Sequence, residues 1–223
     1  MLSMQIGIVG GTGPAGAALA TRLADVGYEI ILGSRSKYRS MEVVDKIKQK
    51  WPDRQLSIVP GDNSAAAECE FVIIATPWDA ASITARTVES HLRGKVVVTM
   101  SNALARVDDE FVSLIPPRGS VAASMQATLP ESKVAAALQH VPAHELGDLA
   151  RPLDSDILIC SDHSDATSKV AEVINAIPGA RALDSGNLSN ATAIEAFTAV
   201  LLQLNMRYKT RVALKLTGLD AVR

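Results

Sequence analysis

Apolar positions in this chain fall into short unbroken runs, and the stretches between them repeat at helical spacing. The runs at 4–9, 28–32, 70–75 and 95–100 are apolar almost throughout, as in Phe71-Val72-Ile73-Ile74-Ala75. Continuous rather than alternating runs belong to strands of a parallel sheet covered on both faces. A shorter strand is predicted at 56–59, ahead of Pro60-Gly61-Asp62-Asn63. The intervening patterns predict helices over 14–26, 37–50, 63–68 and 79–91, the second ending near Trp51-Pro52 because proline cannot continue it. Beyond, the units shorten: strand 133–138, a turn at His140-Val141-Pro142-Ala143, helix 143–149, strand 156–160, helix 164–176 and strand 180–184. Gly186 and Asn187 break the chain, and a long helix is predicted from 189 to 207, capped by Ser189 or Asn190. The alternation gives an α/β fold, a doubly wound and mostly parallel sheet with a small helical C-terminal piece. The expected division is 1–187 for the sheet domain and 188–223 for a helical segment closing a substrate cleft.

Composition narrows the class. With 48% hydrophobic and 21% charged residues and a net charge of −2, the chain reads as an ordinary globular protein and not as a general nucleic-acid binder. No apolar run is long enough to span a bilayer, and no charged segment followed by a cleavable apolar stretch opens the chain, so a cytoplasmic location is expected. Cys69 and Cys160 are far apart and lie outside any metal motif; reduced structural thiols are expected. Of the histidines His91, His140, His144 and His163, only His140 and His144 have ligand spacing, and Pro142 interrupts that pair. No metal site is expected.

The first run leads straight into Gly11-x-Gly13-x-x-Gly16 and then a helical pattern. A strand turning tightly into a helix aims free N–H groups and a positive dipole end at one point, where a pyrophosphate can sit. The first glycine allows the turn, the second admits the phosphates, and the third lets helix and strand pack closely. Thr12 can add a hydroxyl there; a purely structural glycine turn is the alternative. The second run ends in Gly33-Ser34-Arg35-Ser36-Lys37. An NAD-preferring fold carries Asp or Glu at this place, and a carboxylate would repel a 2′-phosphate. Ser34 and Arg35, with Lys37 and Arg39 nearby, favour NADP over NAD, unless the cluster is simply a solvated basic turn.

In an open parallel sheet, ligands bind beyond the carboxyl ends of the strands. Those ends supply Thr76-Pro77-Trp78, Ser101-Asn102 and His140-Val141-Pro142. Trp78 is as much a candidate core aromatic as a cofactor contact. No nucleophile-and-base set stands out, nor a Tyr-x-x-x-Lys pair to protonate an alkoxide. Hydride transfer between two bound ring cofactors needs little beyond stacking and distance.

Gly10-Gly11-Thr12-Gly13-Pro14-Ala15-Gly16, Gly33-Ser34-Arg35, Thr76-Pro77-Trp78, His140-Val141-Pro142-Ala143 and Leu183-Asp184-Ser185-Gly186-Asn187-Leu188-Ser189-Asn190 resemble, in that order, the NADPH-dependent reductases of coenzyme F420, an 8-hydroxy-5-deazaflavin. The resemblance covers nearly the whole chain. It implies an extended Rossmann fold, a homodimer, and reversible hydride transfer between NADP(H) and F420 stacked face to face. It implies pyrophosphate contact from Thr12 and the glycines Gly11, Gly13 and Gly16 and 2′-phosphate contact from Ser34 and Arg35; Pro14, Ala15, Lys37, Thr76, Pro77, Trp78, Asn102, His140, Pro142 and Ala143 complete the expected cofactor-binding set. No catalytic residue is certain. His140 and Thr198 are candidates for positioning the deazaflavin, against a structural histidine before a proline turn. Two places depart from the family pattern: Thr192 stands where an arginine often helps to bind the deazaflavin, and Ala196 where a hydroxyl is frequent. Arg207 or Lys209 could supply a substitute cation. The alternatives are NADPH-dependent reduction of another acceptor (a flavin, a chelated metal ion or an imine) and NADP sensing without turnover.

Overall fold

The computed structural model describes residues 4–219. An eight-stranded sheet runs in the order β10-β9-β8-β5-β4-β1-β2-β3. Its strands are β1 (Gln5–Val9), β2 (Glu29–Ser34), β3 (Ile58–Asp62), β4 (Phe71–Ile74), β5 (Val96–Thr99), β8 (Lys133–Ala136), β9 (Ser155–Ser161) and β10 (Ala180–Asp184). From β3 across to β8 every pairing is parallel; β9 runs antiparallel to β8 and carries β10 parallel to itself. Strand order reverses between β1 and β4, which opens a crevice at their carboxyl ends.

The helices cover both faces, as the unbroken apolar strands require. On one side α1 (Pro14–Asp25), α2 (Lys37–Lys50) and α8 (Ser164–Asn175) bury Leu19, Leu23, Val44, Val170 and Ile174 against Ile6, Ile8, Ile30 and Ile73. On the other, α3 (Asn63–Glu68), α4 (Trp78–Thr87), α5 (Glu89–Leu92) and α6 (Val121–Thr128) bury Ala66, Ala85, Leu92 and Met125 against Val9, Val72, Ile74 and Val97. The short α7 (Ala143–Leu146) is held to α1 by one buried side chain. Arg22 donates to the carbonyls of Leu146 at 2.9 Å, Glu145 at 3.0 Å, Arg151 at 3.0 Å and Asp148 at 2.5 Å.

Several predicted elements move. β3 runs on through Pro60 and Gly61 to Asp62, because as an edge strand it tolerates a residue without an N–H. Asp62 then caps α3 by accepting from the Ala65 N–H at 2.8 Å. The helix predicted over 79–91 breaks at Val88 into α4 and α5, and α7 stops at Leu146. The last helix opens with a 3₁₀ turn, Leu188–Asn190, and becomes α9 at Ala191–Tyr208. Neither Ser189 nor Asn190 caps it: Asn190 is already helical, and its amide donates to the Ser185 carbonyl at 2.7 Å. A hairpin, β6 (Leu104–Val107) and β7 (Glu110–Ser113), and helix α6 occupy a stretch whose hydrophobic pattern predicts no element.

After α9 the chain returns along β9. The Asp156 N–H donates to Leu214 O at 2.8 Å, and the Leu216 N–H to Asp156 Oδ2 at 2.6 Å. No described helix is long and apolar enough to cross a membrane, and among the described residues no His, Cys, Asp and Glu side chains gather in a form that could hold a metal ion.

Candidate active site

The crevice begins where β1 turns into α1. Gly10 adopts φ +69°, and a Cβ there would lie 2.2 Å from Thr76 Cγ2, so only glycine fits the turn. The turn is anchored by the Gly10 N–H to Asn63 Oδ1 at 3.0 Å and the Gly11 N–H to Gly33 O at 2.9 Å. A Cβ on Gly16 would lie 2.7 Å from Gly11 Cα, which explains the third glycine of the fingerprint. On Gly13 it would meet nothing within 4 Å, so that backbone faces open space. α1 has no side-chain cap, and Pro14 fills its first turn. Its leading N–H groups therefore point into the crevice unpaired, an arrangement that accepts a pyrophosphate.

From this turn a cleft of about 430 Å³ extends over the end of β2. Ser34, Arg35, Ser36 and Arg39 form one wall, Asn63, Thr76 and Pro77 the other, and no carboxylate lines it. Ser34 is buried, and the Ser36 N–H approaches its Oγ at 3.4 Å. The guanidinium groups of Arg35 and Arg39 have no hydrogen bond or ion pair among the described residues. A phosphate dianion on the adenosine ribose would meet two cations and a hydroxyl, a set that a 2′-hydroxyl alone would leave unused.

Lys37 lies elsewhere. It lines a separate groove with Gln5, Ile31 and Val59. Residues two apart on a helix point about 200° from each other, so when Arg39 faces the cleft Lys37 cannot. Trp78, which starts α4, packs half-buried against the core under the sheet and does not line the cleft.

The other end of the crevice is built by long-range hydrogen bonds. Ser101 Oγ donates to Thr76 O at 2.7 Å, and Asn102 Nδ2 to Gln139 O at 2.7 Å. Thr198 Oγ1, on α9, donates to Asn102 Oδ1 at 3.3 Å. The ends of β4, β5 and β8 are thus tied to the C-terminal helix, with the predicted residues Asn102 and Thr198 in direct contact. Among these ends sit buried polar atoms without partners: Thr76 Oγ1, both amide atoms of Gln139, and His140 Nδ1. An unpartnered buried amide is costly, and such atoms mark a place where a ligand edge can pair.

His140 is buried, and its Nε2–H donates to the Asp156 carbonyl at 2.9 Å. Burial pushes its pKa below the usual histidine value, so the ring is neutral. The ring is held from behind by β9, and it is the neighbouring Gln139 that carries a wholly unpaired side chain. The sequence reading missed Gln139, although a polar residue directly after the apolar run Val134–Leu138 was the available signal. Pro142 and Ala143, half-buried, open α7, and Ala143 faces the Thr12-Gly13 turn across an adjoining trench.

Thr192 lines a groove of about 300 Å³ together with Arg118, Gln126, Asp162 and Ser189. The preceding turn packs on it, since a Cβ at Gly119 would lie 3.1 Å from Thr192 Oγ1. Arg207 and Lys209 are exposed and line no part of this groove. Nearby, the buried carboxylate of Glu195 accepts from the Val121 and Ala122 N–H groups at 2.8 and 3.1 Å, docking α9 onto the N-terminus of α6. Burial raises its pKa to about 7 in spite of those bonds.

The chain is similar to known proteins along nearly its whole length. Residues 5–103 match the family described as NADP oxidoreductase, coenzyme F420-dependent. The chain is 39% identical to an F420-dependent NADP reductase of Methanocaldococcus jannaschii, over 97% of this chain and 100% of that one. It is 33% identical to another of that description from Methanothermobacter marburgensis, over 97% and 99% of the two chains. A crystal structure from Arthrobacter sp. FB24 superposes with a TM-score of 0.79 at 24% identity, over 95% of this chain and 100% of that one, and so shares the fold.

Proposed function

The chain belongs to the F420-dependent NADP reductase family, and from that premise we propose that it moves a hydride reversibly between NADP(H) and coenzyme F420. The observation that carries the NADP half is the end of β2, where Ser34, Arg35 and Arg39 line a cleft free of carboxylates. In this reading the N–H groups of Thr12, Gly13, Ala15 and Gly16 hold the pyrophosphate, Ser34, Arg35 and Arg39 hold the 2′-phosphate, and Thr76, Pro77 and the Pro142-Ala143 turn flank the nicotinamide ribose. Lys37 and Trp78 lie outside the cleft and take no part in this contact set.

The deazaflavin lies over the nicotinamide at the far end. Gln139, with a free donor and a free acceptor, pairs with the polar edge of its ring system; Asn102 and Thr198 fix that edge from α9, and His140 backs the loop. Arg118 supplies the cation missing at Thr192. When both coenzymes are bound, their rings supply hydride donor and acceptor, and reduction of F420 takes up one further proton from solvent. The protein aligns the rings and excludes water, which is most of what such a transfer needs. The test is to mix protein, NADPH and F420 and follow deazaflavin absorbance. Bleaching with NADPH supports the reading; turnover only with a flavin, a chelated metal ion or an imine, or no turnover at all, rejects it.

We extend the proposal to a homodimer in the cytoplasm. Phe197 and Val200 on α9, with Val112, Leu114 and Ile115 of the hairpin and its exit, expose a large apolar surface that a second copy could cover. Cys69 and Cys160 are free, buried, and raised by burial to about 11, as thiols in a reducing compartment can remain. Light scattering at micromolar concentration is expected to give the mass of a dimer; a monomer overturns this part.

A further inference from the structure

Of the lysines and arginines among the described residues, Arg22 alone is buried, with 2% of its surface exposed. No carboxylate bonds to it: Asp25 pairs with Arg54, and the Asp148 carboxylate with Arg151. The guanidinium instead donates to four backbone carbonyls, those of Glu145, Leu146, Asp148 and Arg151. Burying a cation carries a desolvation penalty that apolar packing of the same volume avoids, so stability alone is a weak reason for an arginine here. What a planar fork supplies is geometry, because its donors point in fixed directions.

The carbonyls it takes belong to the segment that carries the Pro142-Ala143 turn. The Leu146 N–H donates to Pro142 O at 3.0 Å, and the Gly147 N–H to Ala143 O at 3.0 Å. Bonds therefore run unbroken from the Arg22 guanidinium through Leu146 to the turn. Contact between α7 and α1 is close, since a Cβ on Gly147 would lie 3.2 Å from that of Ala18. Eight residues before Arg22, about 12 Å along the same helix, Pro14 opens the end of α1 whose free N–H groups face the crevice. One rigid helix thus carries the glycine turn at its first residue and the seat of α7 on its later turns. How α7 sits on that seat sets the gap between Thr12-Gly13 and Ala143 across the adjoining trench.

We propose that Arg22 is a positioning residue for the hydride transfer: by seating α7 on α1 it fixes the Pro142-Ala143 turn relative to the glycine turn, and with it the distance and angle at which the nicotinamide meets the acceptor ring. This rests on the reading that the turn flanks the nicotinamide ribose and that F420 is the acceptor. Arg22 touches neither coenzyme and acts only through the segment it holds. Transfer between two stacked rings draws mostly on alignment, so a small displacement of this turn slows the step steeply. Binding at the adenosine end, which rests on the glycine turn and on Ser34, Arg35 and Arg39, is left as it was.

Two variants test this. Arg22→Lys keeps the charge and loses the fork. Gly147→Ala leaves Arg22 in place and pushes α7 away from Ala18, and the backbone there, at φ −93°, suits alanine. Three quantities are measured for each: the single-turnover rate of hydride transfer from NADPH to F420, by deazaflavin absorbance; calorimetric binding of adenosine 2′,5′-bisphosphate, which reaches the adenosine end alone; and thermal melting. Arg22→Lys is expected to slow the transfer about tenfold while bisphosphate affinity stays within about twofold of wild type. Gly147→Ala is expected to slow it about threefold with a melting temperature close to that of the wild type. An arginine that only stabilised the fold would lower the melting temperature and leave the rate of the folded protein unchanged. Wild-type rates in both variants, or a bisphosphate affinity that falls as far as the rate, overturn the positioning role while leaving the proposed reaction intact. Should Arg22→Lys fail to fold, the rate of Gly147→Ala decides. Absence of transfer in the wild type overturns both.

Discussion

The two ends of the crevice are built in opposite ways. At the dinucleotide end the chemistry is mostly backbone, with glycines shaped by sterics and N–H groups aimed by one short turn, and the flanking residues sit within about one βαβ unit. At the far end it is side chain on side chain, joining Thr76, Asn102, Gln139 and Thr198 from four separate parts of the chain. The first end is complete before a ligand arrives. The second holds buried polar atoms that lack partners. A fold can thus keep one substrate site rigid in outline while the other is tuned by single replacements.

This contrast can be broken at its strongest point first. Gly16→Val places atoms inside the van der Waals envelope of Gly11 and should destabilise the fold by about 3 kcal/mol in a denaturant titration, with loss of NADP binding. A stable, NADP-binding variant would mean that the turn is not sterically fixed. Gln139→Leu tests the other end. Removing an unpaired buried amide should raise stability by about 1 kcal/mol, while F420 binding weakens about tenfold and NADPH binding holds. A loss of stability instead would show that the amide is already satisfied.

Glu195 sharpens the comparison through pH. Its folded-state pKa, about 7, lies above the ordinary 4.5, so the folded protein holds a proton that the unfolded chain releases between those values. Its stabilising share is present below pH 4.5 and fades as pH rises through about 7. Glu195→Gln should flatten the fall in stability over that window by an amount on the order of 1 kcal/mol, seen as a parallel change in unfolding midpoints. An unchanged slope would place the titration elsewhere. The smallest effect belongs to Lys37→Ala, which should leave NADPH affinity within about twofold, whereas Arg39→Ala should lower it about fivefold. The reverse order would contradict the assignment of helical faces.

The dinucleotide end was legible in the sequence because its signals are local: an apolar run, three spaced glycines, and a second run ending in Ser34-Arg35. The choice between Lys37 and Arg39 was not, since it depends on the rotational phase of α2, which its first residues do not reveal. The β6–β7 hairpin escaped because its turn is Asp108-Asp109, with Asp108 at φ +52°, in place of a glycine-marked turn. Helix α6 is rich in small residues and has little periodicity to read. Which of Gln139 and His140 keeps an unpaired side chain is not legible locally, because the His140 ring is taken up by the Asp156 carbonyl of β9, far along the chain.

Calorimetric titration of NADPH and NADH into the wild-type protein and Arg35→Ala bears most directly on the claim that a cation at the end of β2 selects the phosphorylated coenzyme. The wild type is expected to prefer NADPH strongly, and the variant to lose about 2 kcal/mol for NADPH with NADH nearly unaffected. Equal affinity for the two coenzymes in the wild type, or an equal loss for both in the variant, would contradict it.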